Sequence, residues 1–371
     1  HHPNFTAPRN PLELAGWAMG RCITVARLIP PESPLLRHDD LVGEILLTFE
    51  RLLPAYACAV ETDTTRWLNS ASERSPVVPV GDEDFQRETY LGPDWLARAR
   101  MLLQLKRQLI LQGVPGTGKT HVAHSLARLL TRGHEEAIRL VQFHPAYSYE
   151  DFVEGIRPAS VECNGRKEIS YPVADGLLCA FAAEAARKPA EPHVLIIDEI
   201  NRGNLPRIFG ELLHLLEFRD QAVVLPRSGR PFRLPPNLYF IGTMNAADHS
   251  VTALDHALRR RFSILEMTPD ADVLSAWLRA HPPTDGDEFA HAVIALLQSL
   301  NERLRRDLGP RCQIGHSYFM TPHLDEARLR MIWAHHVLPL LADYFAQRPE
   351  RLPAYEFERL FHYGLKSHAR T

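Results

Sequence analysis

A chain of 371 residues is long enough for two or three domains, each with a hydrophobic core. Hydrophobic residues make up 45% of the chain and charged residues 23%, which excludes collagen-like, low-complexity and wholly disordered proteins. Because 42 Lys and Arg nearly balance 45 Asp and Glu, the net charge of −3 gives no overall basic field that would indicate nucleic-acid binding, although a local basic patch remains compatible with it.

Membrane and secretory segments are not predicted. No stretch approaches the ~18 consecutive apolar residues of a membrane span, and the chain does not start with a basic region followed by an apolar one. The five cysteines are scattered without a CxxC pair, which argues against a disulfide framework and against a zinc knuckle. We therefore expect a soluble, cytoplasmic protein with reduced thiols and no membrane partner.

The first part of the chain contains no chemical motif. Residues 1–70 show helical periodicity, which predicts a small helical N-terminal region. Residues 71–92 are rich in Ser, Pro, Gly and acidic residues, a composition typical of linkers.

The middle of the chain alternates strand-like and helical patterns. Residues 93–268 are predicted to form a large α/β domain, with a parallel sheet flanked by helices, because apolar runs alternate with helical segments long enough for crossovers. Two β-hairpin insertions are predicted, around Gly165–Val173 and around Ala222–Leu234. In residues 269–371 only helical stripes remain, which predicts a C-terminal helical lid domain.

A phosphate-binding loop is the strongest motif. The segment from Gly113 to Thr120 satisfies G-x-x-x-x-G-K-[ST] between a predicted strand and a predicted helix. Its glycines let backbone N–H groups converge on phosphates, Lys119 reaches the β- and γ-phosphates, and the Thr120 hydroxyl ligates Mg²⁺. The predicted nucleotide-binding residues are Gly113, Val114, Pro115, Gly116, Thr117, Gly118, Lys119 and Thr120.

Two acids end an apolar strand about 80 residues downstream. Beside the phosphate loop, Asp198 would help to hold Mg²⁺, and Glu199 would orient and polarise the attacking water. Alone, such a pair is also typical of a solvated strand end. The adjacent Asn201 and Arg202 either cap the next helix or contact the nucleotide.

A third strand ends at Asn245, whose neutral amide suits a hydrogen bond to the γ-phosphate or the lytic water; the alternative is an Asn in a turn.

Further on, a predicted helix ends in three arginines, Arg259 to Arg261. Positive charges at a helix C-terminus complement its dipole. They also serve as arginine fingers that stabilise transition-state charge at a neighbouring subunit's γ-phosphate.

The order of these motifs resembles the AAA+ ATPases, and several stretches resemble the McrB-type NTPase subunits of modification-dependent (type IV) restriction systems. The resemblance covers about residues 93–345 and is carried by five segments: Phe143–Pro158, Ile197–Arg202, Met244–Ser250, Leu258–Phe262 and Ile314–Phe319.

This resemblance implies a Mg²⁺-dependent, GTP-hydrolysing ring, usually a hexamer, that recruits an McrC-like nuclease subunit and acts on DNA carrying modified cytosines. It implies that Asn245 and Asp248 form the signature loop near the catalytic water and the nuclease subunit. It further implies trans-acting roles for Arg260 and Arg261, and a sensor role for Arg311.

Some features leave alternatives open. Family members commonly have Arg where this chain has His249, and residues 1–90 match no recognised DNA reader. The guanine-reading NKxD signature is absent, so a preference for GTP over ATP depends on the resemblance alone. The alternative function is a MoxR-like or midasin-like ATPase chaperone that remodels protein partners.

Overall fold

The computed structural model of the protein describes residues 79–163, 166–245 and 256–361, which form an α/β part followed by a helical part. The α/β part contains α1 (Asp82–Thr89), α2 (Pro93–Lys106), β1 (Gln108–Gly113), α3 (Lys119–Leu130), β2 (Ile138–Gln142), α4 (Tyr149–Phe152), β3 (Glu154–Ile156), β4 (Ala159–Cys163), β5 (Arg166–Ser170), β6 (Val173–Asp175), α5 (Leu177–Arg187), β7 (His193–Asp198), α6 (Leu205–Phe209), α7 (Leu212–Glu217), β8 (Val223–Val224), β9 (Pro231–Phe232), β10 (Leu238–Asn245), α8 (His256–Arg261) and β11 (Ser263–Met267). The helical part contains α9 (Ala271–Ala280), α10 (Gly286–Leu308), α11 (Glu326–Ile332), a π-helical turn (Trp333–Val337), α12 (Leu338–Tyr344) and α13 (Phe357–Leu360). Short 3₁₀ segments lie at Glu135–Ala137, Ile200–Arg202, His316–Phe319 and Pro349–Tyr355.

The α/β part is built on a sheet of five parallel strands in the order β11-β1-β10-β7-β2. Successive side chains of a strand point to opposite faces. Ile110 therefore packs with α5, α6 and α7 on one face, whereas Leu109 and Leu111 pack with α1, α2 and α3 on the other. A parallel sheet covered on both faces explains why its strands are almost continuously apolar, and it confirms the predicted fold class.

Two insertions interrupt the α/β order at about the predicted places. β4 pairs with β5 as an antiparallel hairpin, and β3 pairs with β6 at its base. The second hairpin pairs β8 with β9. Its turn is bound to the first insertion, because the buried carboxylate of Glu154 accepts hydrogen bonds from the backbone N–H groups of Arg227 (2.8 Å) and Ser228 (3.1 Å).

The amino-terminal edge of the sheet is held by Gln108, at the start of β1. Its amide nitrogen donates to the carbonyl oxygens of Leu216 (2.6 Å) and Arg261 (2.9 Å), and its amide oxygen accepts from Arg219 (2.9 Å). Gln108 is 1% exposed, so these hydrogen bonds form where water is excluded. Leaving a polar group unpaired in such a place is costly. The ends of α7 and α8 are thereby fixed to the first strand.

The helical part has its own core, as predicted for a lid domain. On α10 the predicted apolar stripe is buried, and the residues that form it are Phe289, Val293, Leu296, Leu297, Leu300 and Leu304. The first lid helix, α9, is capped by Asp270, whose carboxylate accepts from the N–H groups of Asp272 and Val273. Within the described parts of the chain, no helix is long and apolar enough to cross a membrane.

The predicted linker over residues 71–92 is partly wrong. Its described portion contains α1, whose Phe85 is fully buried and stacks on Trp95 of α2. The acidic composition that resembles a linker has another cause: three acids fill the first turn of α1, where negative charge stabilises a helix N-terminus. The predicted N-terminal region 1–70 lies outside the described residues.

Candidate active site

Three strands bring the predicted site residues to the carboxyl edge of the sheet. Gly113, which ends β1, lies opposite Asn245, which ends β10. On the other side of β10, Ile197 of β7 lies opposite Gly242, so Asp198 is placed beside Thr243. The sheet order therefore makes neighbours of residues that lie as many as 132 positions apart in the chain.

The phosphate loop leads from β1 into α3 and needs its glycines for two different reasons. A Cβ on Gly113 would lie 2.2 Å from the carbonyl oxygen of Met267, so no side chain fits there. Gly116 (φ +78°) and Gly118 (φ +74°) adopt the left-handed conformation that favours glycine. Within the described ranges, no atom lies within 4 Å of the Cβ position of Gly118.

Lys119 lies inside the loop. Its Nζ donates to the carbonyl oxygen of Val114 (2.9 Å), and the residue is 8% exposed. Burial lowers the pKa of Lys119 to about 8, against the opposing attraction of Glu199 and Asp198, which raises it. The buried ammonium group provides a positive charge that polyphosphate would neutralise.

Asp198 is tied to both neighbouring elements by hydroxyl groups. Its Oδ1 accepts from Thr120 Oγ1 (2.8 Å) at the start of α3 and from Thr243 Oγ1 (2.5 Å) on β10. A hydroxyl and a carboxylate are hard oxygen ligands of the kind that Mg²⁺ prefers, with water and phosphate oxygens completing the shell. Thr120 and Asp198 therefore fit the predicted magnesium site.

Glu199 adopts a left-handed backbone conformation (φ +52°, ψ +44°), which is uncommon for a residue with a side chain and costs of order 1–2 kcal/mol. Its N–H donates to Thr243 Oγ1 (3.1 Å), and its carbonyl oxygen accepts from the N–H of Arg202 (2.8 Å). Such conformations concentrate at functional sites, where the surrounding structure maintains them.

Asn245 and Arg202 both contact the Glu199 side chain. Asn245 Nδ2 donates to its Oε1 (2.6 Å), and Arg202 Nε lies 3.4 Å from its Oε2. The Glu199 side chain is only 18% exposed, so these contacts fix the carboxylate where little water screens it. The structure thus brings Asn245 to Glu199, which the sequence did not predict, and Arg202 contacts the same carboxylate instead of capping the next helix.

The predicted arginines lie at the other edge of the sheet. Arg260 and Arg261, at the end of α8, both contact Glu217, at 2.8 and 3.5 Å, but their side chains are 67% and 15% exposed respectively. One strand of six residues, about 20 Å, separates this edge from the phosphate loop of the same chain.

Two further predicted site residues are Asp248 and Arg311. Asp248, like the neighbouring His249, lies outside the described residues. Arg311 is exposed and forms no hydrogen bond or ion pair with any residue in the described ranges. The suggested sensor role of Arg311 therefore remains a prediction.

The structure also adds Thr243, which is not among the predicted site residues. Thr243 bonds to both Asp198 and the backbone of Glu199, and it is two residues before Asn245 on the same strand. Because side chains alternate along a strand, residues two apart share a face. The two-residue spacing between Thr243 and Asn245 is the sequence signal that identifies Thr243.

Comparisons with known proteins match both parts of the chain to known families. The family described as AAA domain (dynein-related subfamily) matches residues 108–262, and the family described as McrB, alpha-helical lid domain matches residues 292–353. The chain is therefore an AAA+ P-loop NTPase with a helical lid.

Among curated proteins, the type IV methyl-directed restriction enzyme EcoKMcrB subunit of Escherichia coli (strain K12) is 34% identical over 283 residues, which is 72% of this chain and 60% of that protein. The type II restriction enzyme BsuMI component YdiS of Bacillus subtilis (strain 168) is 26% identical over 218 residues, covering 49% of this chain and 64% of that protein. This chain belongs to the McrB-type AAA+ subunits. It spans less than two thirds of the length of either relative.

Proposed function

We propose that this chain is the nucleotide-hydrolysing ring subunit of an McrBC-like restriction system, acting in the cytoplasm. Its resemblance to the family supports GTP as the substrate, with ATP as the alternative, and Mg²⁺ as the metal. The same resemblance supports a homo-hexamer, an McrC-like nuclease partner, and translocation along and cleavage of DNA that carries modified cytosines.

The observation that carries the proposal is the placement of Glu199. Asn245 donates to Oε1 of Glu199, Arg202 lies 3.4 Å from its Oε2, and Asp198 is held next to Thr120 beside the phosphate loop. A carboxylate fixed at this edge suits a water-positioning role in phosphoryl transfer. Bound Mg²⁺ would neutralise phosphate charge as it develops.

The reaction is hydrolysis of the terminal phosphoanhydride. The oxygen of the water that Glu199 orients forms a bond to the γ-phosphorus, the bond between that phosphorus and the β,γ-bridging oxygen breaks, and the products are nucleoside diphosphate and phosphate. Lys119 and the backbone amides of the phosphate loop would stabilise the negative charge of the phosphates. Asn245 keeps the Glu199 carboxylate in position throughout.

Arg260 suits a site shared between subunits. Its guanidinium is largely exposed, but it lies about 20 Å from the phosphate loop of its own chain, at the opposite edge of the sheet. This separation supports a role at the phosphate loop of a neighbouring copy, as in a ring. Arg261 is mostly buried against Glu217 and better fits a role in holding α8.

The first test measures phosphate release with GTP and ATP at equal concentrations, with Glu199→Gln as the inactive control. Preference for GTP, together with stimulation by an McrC-like subunit and DNA, is expected. ATP preference with indifference to DNA would replace this proposal with the protein-remodelling alternative. Turnover by Glu199→Gln equal to the wild type would remove Glu199 from the mechanism.

A second test addresses the shared site. Glu199→Gln and Arg260→Ala subunits are each expected to be inactive alone. When they are mixed in equal amounts, about a quarter of the interfaces combine an intact Glu199 with an intact Arg260, so turnover returns. Absence of recovery in mixed rings would contradict the trans role of Arg260.

A further inference from the structure

The lid contacts the phosphate loop directly through its backbone. The N–H of Gly315 donates to the carbonyl oxygen of Pro115 (2.9 Å), and the N–H of Ser317 donates to the carbonyl oxygen of Gly116 (2.9 Å). The ring of Tyr318 lies against Gly116, where an added Cβ would come within 2.5 Å of two ring carbons. We name the segment Ile314–Tyr318 the lid clamp.

The fit between the two loops leaves no room for a side chain. A Cβ on Gly315 would lie 1.9 Å from both the carbonyl carbon and oxygen of Gly116 and 2.4 Å from the nitrogen of Thr117. Gly315 thus packs directly on the peptide group that joins Gly116 to Thr117. Glycine is required at position 315 by close approach of two backbones.

The lid clamp is itself held rigidly by the lid. The side chain of Asn301 on α10 donates to the carbonyl oxygen of Ile314 (2.8 Å) and accepts from its N–H (2.7 Å). The buried His316 accepts from the N–H of Asp270, the cap of α9, at 3.1 Å. The position of the clamp therefore follows the position of the first two lid helices.

The hydrogen bonds to the lid clamp orient two N–H groups of the phosphate loop as well as its two carbonyl groups. In a trans peptide the N–H points opposite to the preceding carbonyl, and no cis peptide occurs among the described residues. With the carbonyls of Pro115 and Gly116 directed at the lid, the N–H groups of Gly116 and Thr117 point to the other side of the loop. Backbone amides of this loop are the groups that bind phosphate.

We propose that the lid clamp positions the phosphate loop, so that affinity for the polyphosphate group itself depends on the lid. Gly315, Ser317 and Tyr318 are then positioning residues that need no contact with the nucleoside. The inference deepens the proposed function and depends on its nucleotide-binding part alone. It couples the angle of the lid to the phosphate cradle without a side chain that touches substrate.

Inorganic tripolyphosphate is the probe that isolates this effect, because it has no base or ribose for the lid to contact. Its affinity is measured by calorimetry in Mg²⁺ with the full chain. Gly315→Ala is expected to weaken binding at least tenfold. Gly92→Ala is the matched control that should leave this affinity unchanged, because no atom of the described residues lies within 4 Å of the Cβ position of Gly92.

Ser317→Pro removes the second N–H donor at a helix start, where proline is otherwise tolerated. It is expected to bind tripolyphosphate at least fivefold more weakly than Ser317→Ala, which keeps the donor. Circular dichroism and thermal melting establish which variants fold. If neither backbone variant folds, Tyr318→Ala tests the ring contact, with at least threefold weaker binding expected.

Equal tripolyphosphate affinities in folded wild-type and clamp variants would overturn the inference. If the clamp variants bind GTP or ATP more weakly but bind tripolyphosphate as the wild type does, the lid clamp acts on the nucleoside alone. That result would also overturn the inference. Failure of the proposed function looks different, since the wild type would then bind tripolyphosphate in a clamp-dependent way without hydrolysing GTP or ATP.

Discussion

His316 makes the stability of the protein depend on pH in a range where carboxyl groups contribute little. The residue is 5% exposed, and burial lowers its pKa from 6.5 to about 4, against a smaller opposing effect of Asp270. Its Nδ1 accepts the N–H of Asp270, so the neutral ring is the form that fits. In the unfolded chain the same ring takes up a proton near pH 6.5.

The direction and size of the pH effect on the free energy of unfolding follow from the difference between the folded and unfolded pKa values of His316. Between pH 6.5 and 4 the unfolded state binds a proton that the folded state does not, so the free energy of unfolding falls as the pH falls. The full difference of 2.5 pKa units corresponds to about 3 kcal/mol, and the part lost between pH 7 and pH 5 to about 2 kcal/mol. Carboxyl groups with a lowered pKa, such as Glu150, lose their stabilising effect only below about pH 4.5.

The assay compares wild type with His316→Asn, because Asn can place an acceptor oxygen near the position of Nδ1 but does not titrate. Urea unfolding is followed by tryptophan fluorescence, which reports on the lid because Trp277 and Trp333 lie in its core. Wild type should lose about 2 kcal/mol more than the variant between pH 7 and pH 5. Equal losses in the two proteins would show that protonation of His316 does not set this pH dependence.

Two further predictions concern the edges of the sheet. Asn245→Ala should lower the turnover number about 10- to 100-fold with little change in nucleotide affinity, because a hydrogen bond to a charged carboxylate contributes about 1.5–3 kcal/mol. Phosphate release measures the turnover number, and fluorescent-nucleotide titration measures the affinity. A change in affinity alone would contradict this role of Asn245. Gln108→Leu should lower the free energy of unfolding by about 3 kcal/mol, since it leaves buried groups of Leu216, Arg219 and Arg261 without their partner. Urea unfolding measures that loss, and a change below about 1 kcal/mol would show that water replaces Gln108.

Local patterns in the sequence were enough for much of the fold. The phosphate loop was predictable because backbone convergence on phosphate requires glycines and a lysine at fixed spacing within one continuous segment. The parallel sheet followed from apolar strands separated by crossover helices, and the lid followed from the stripe on α10. The linker prediction failed in part because acidic residues suit both a solvated segment and the first turn of a helix, as in α1.

Contacts between distant segments were decided by the tertiary structure alone. The sequence placed Asp198, Glu199 and Asn245 at strand ends, but only the order of the strands made Asn245 a partner of Glu199 and Thr243 a partner of both acids. A strand pattern carries no information about which strand lies beside it. The pairing depends on how the helices fill both faces of the sheet.

The lid clamp shows the same limit most clearly. The segment Ile314–Phe319 was recognisable as part of a family pattern, but nothing in its residue types predicts that Gly315 rests on the backbone of Gly116. Glycine and main-chain amides have no side-chain signal, so their contact, 199 positions apart in the chain, exists only once the lid has packed. The chemical groups of the site can be read from local motifs, whereas the packing of the lid on the phosphate loop decides which backbone atoms hold that loop in place.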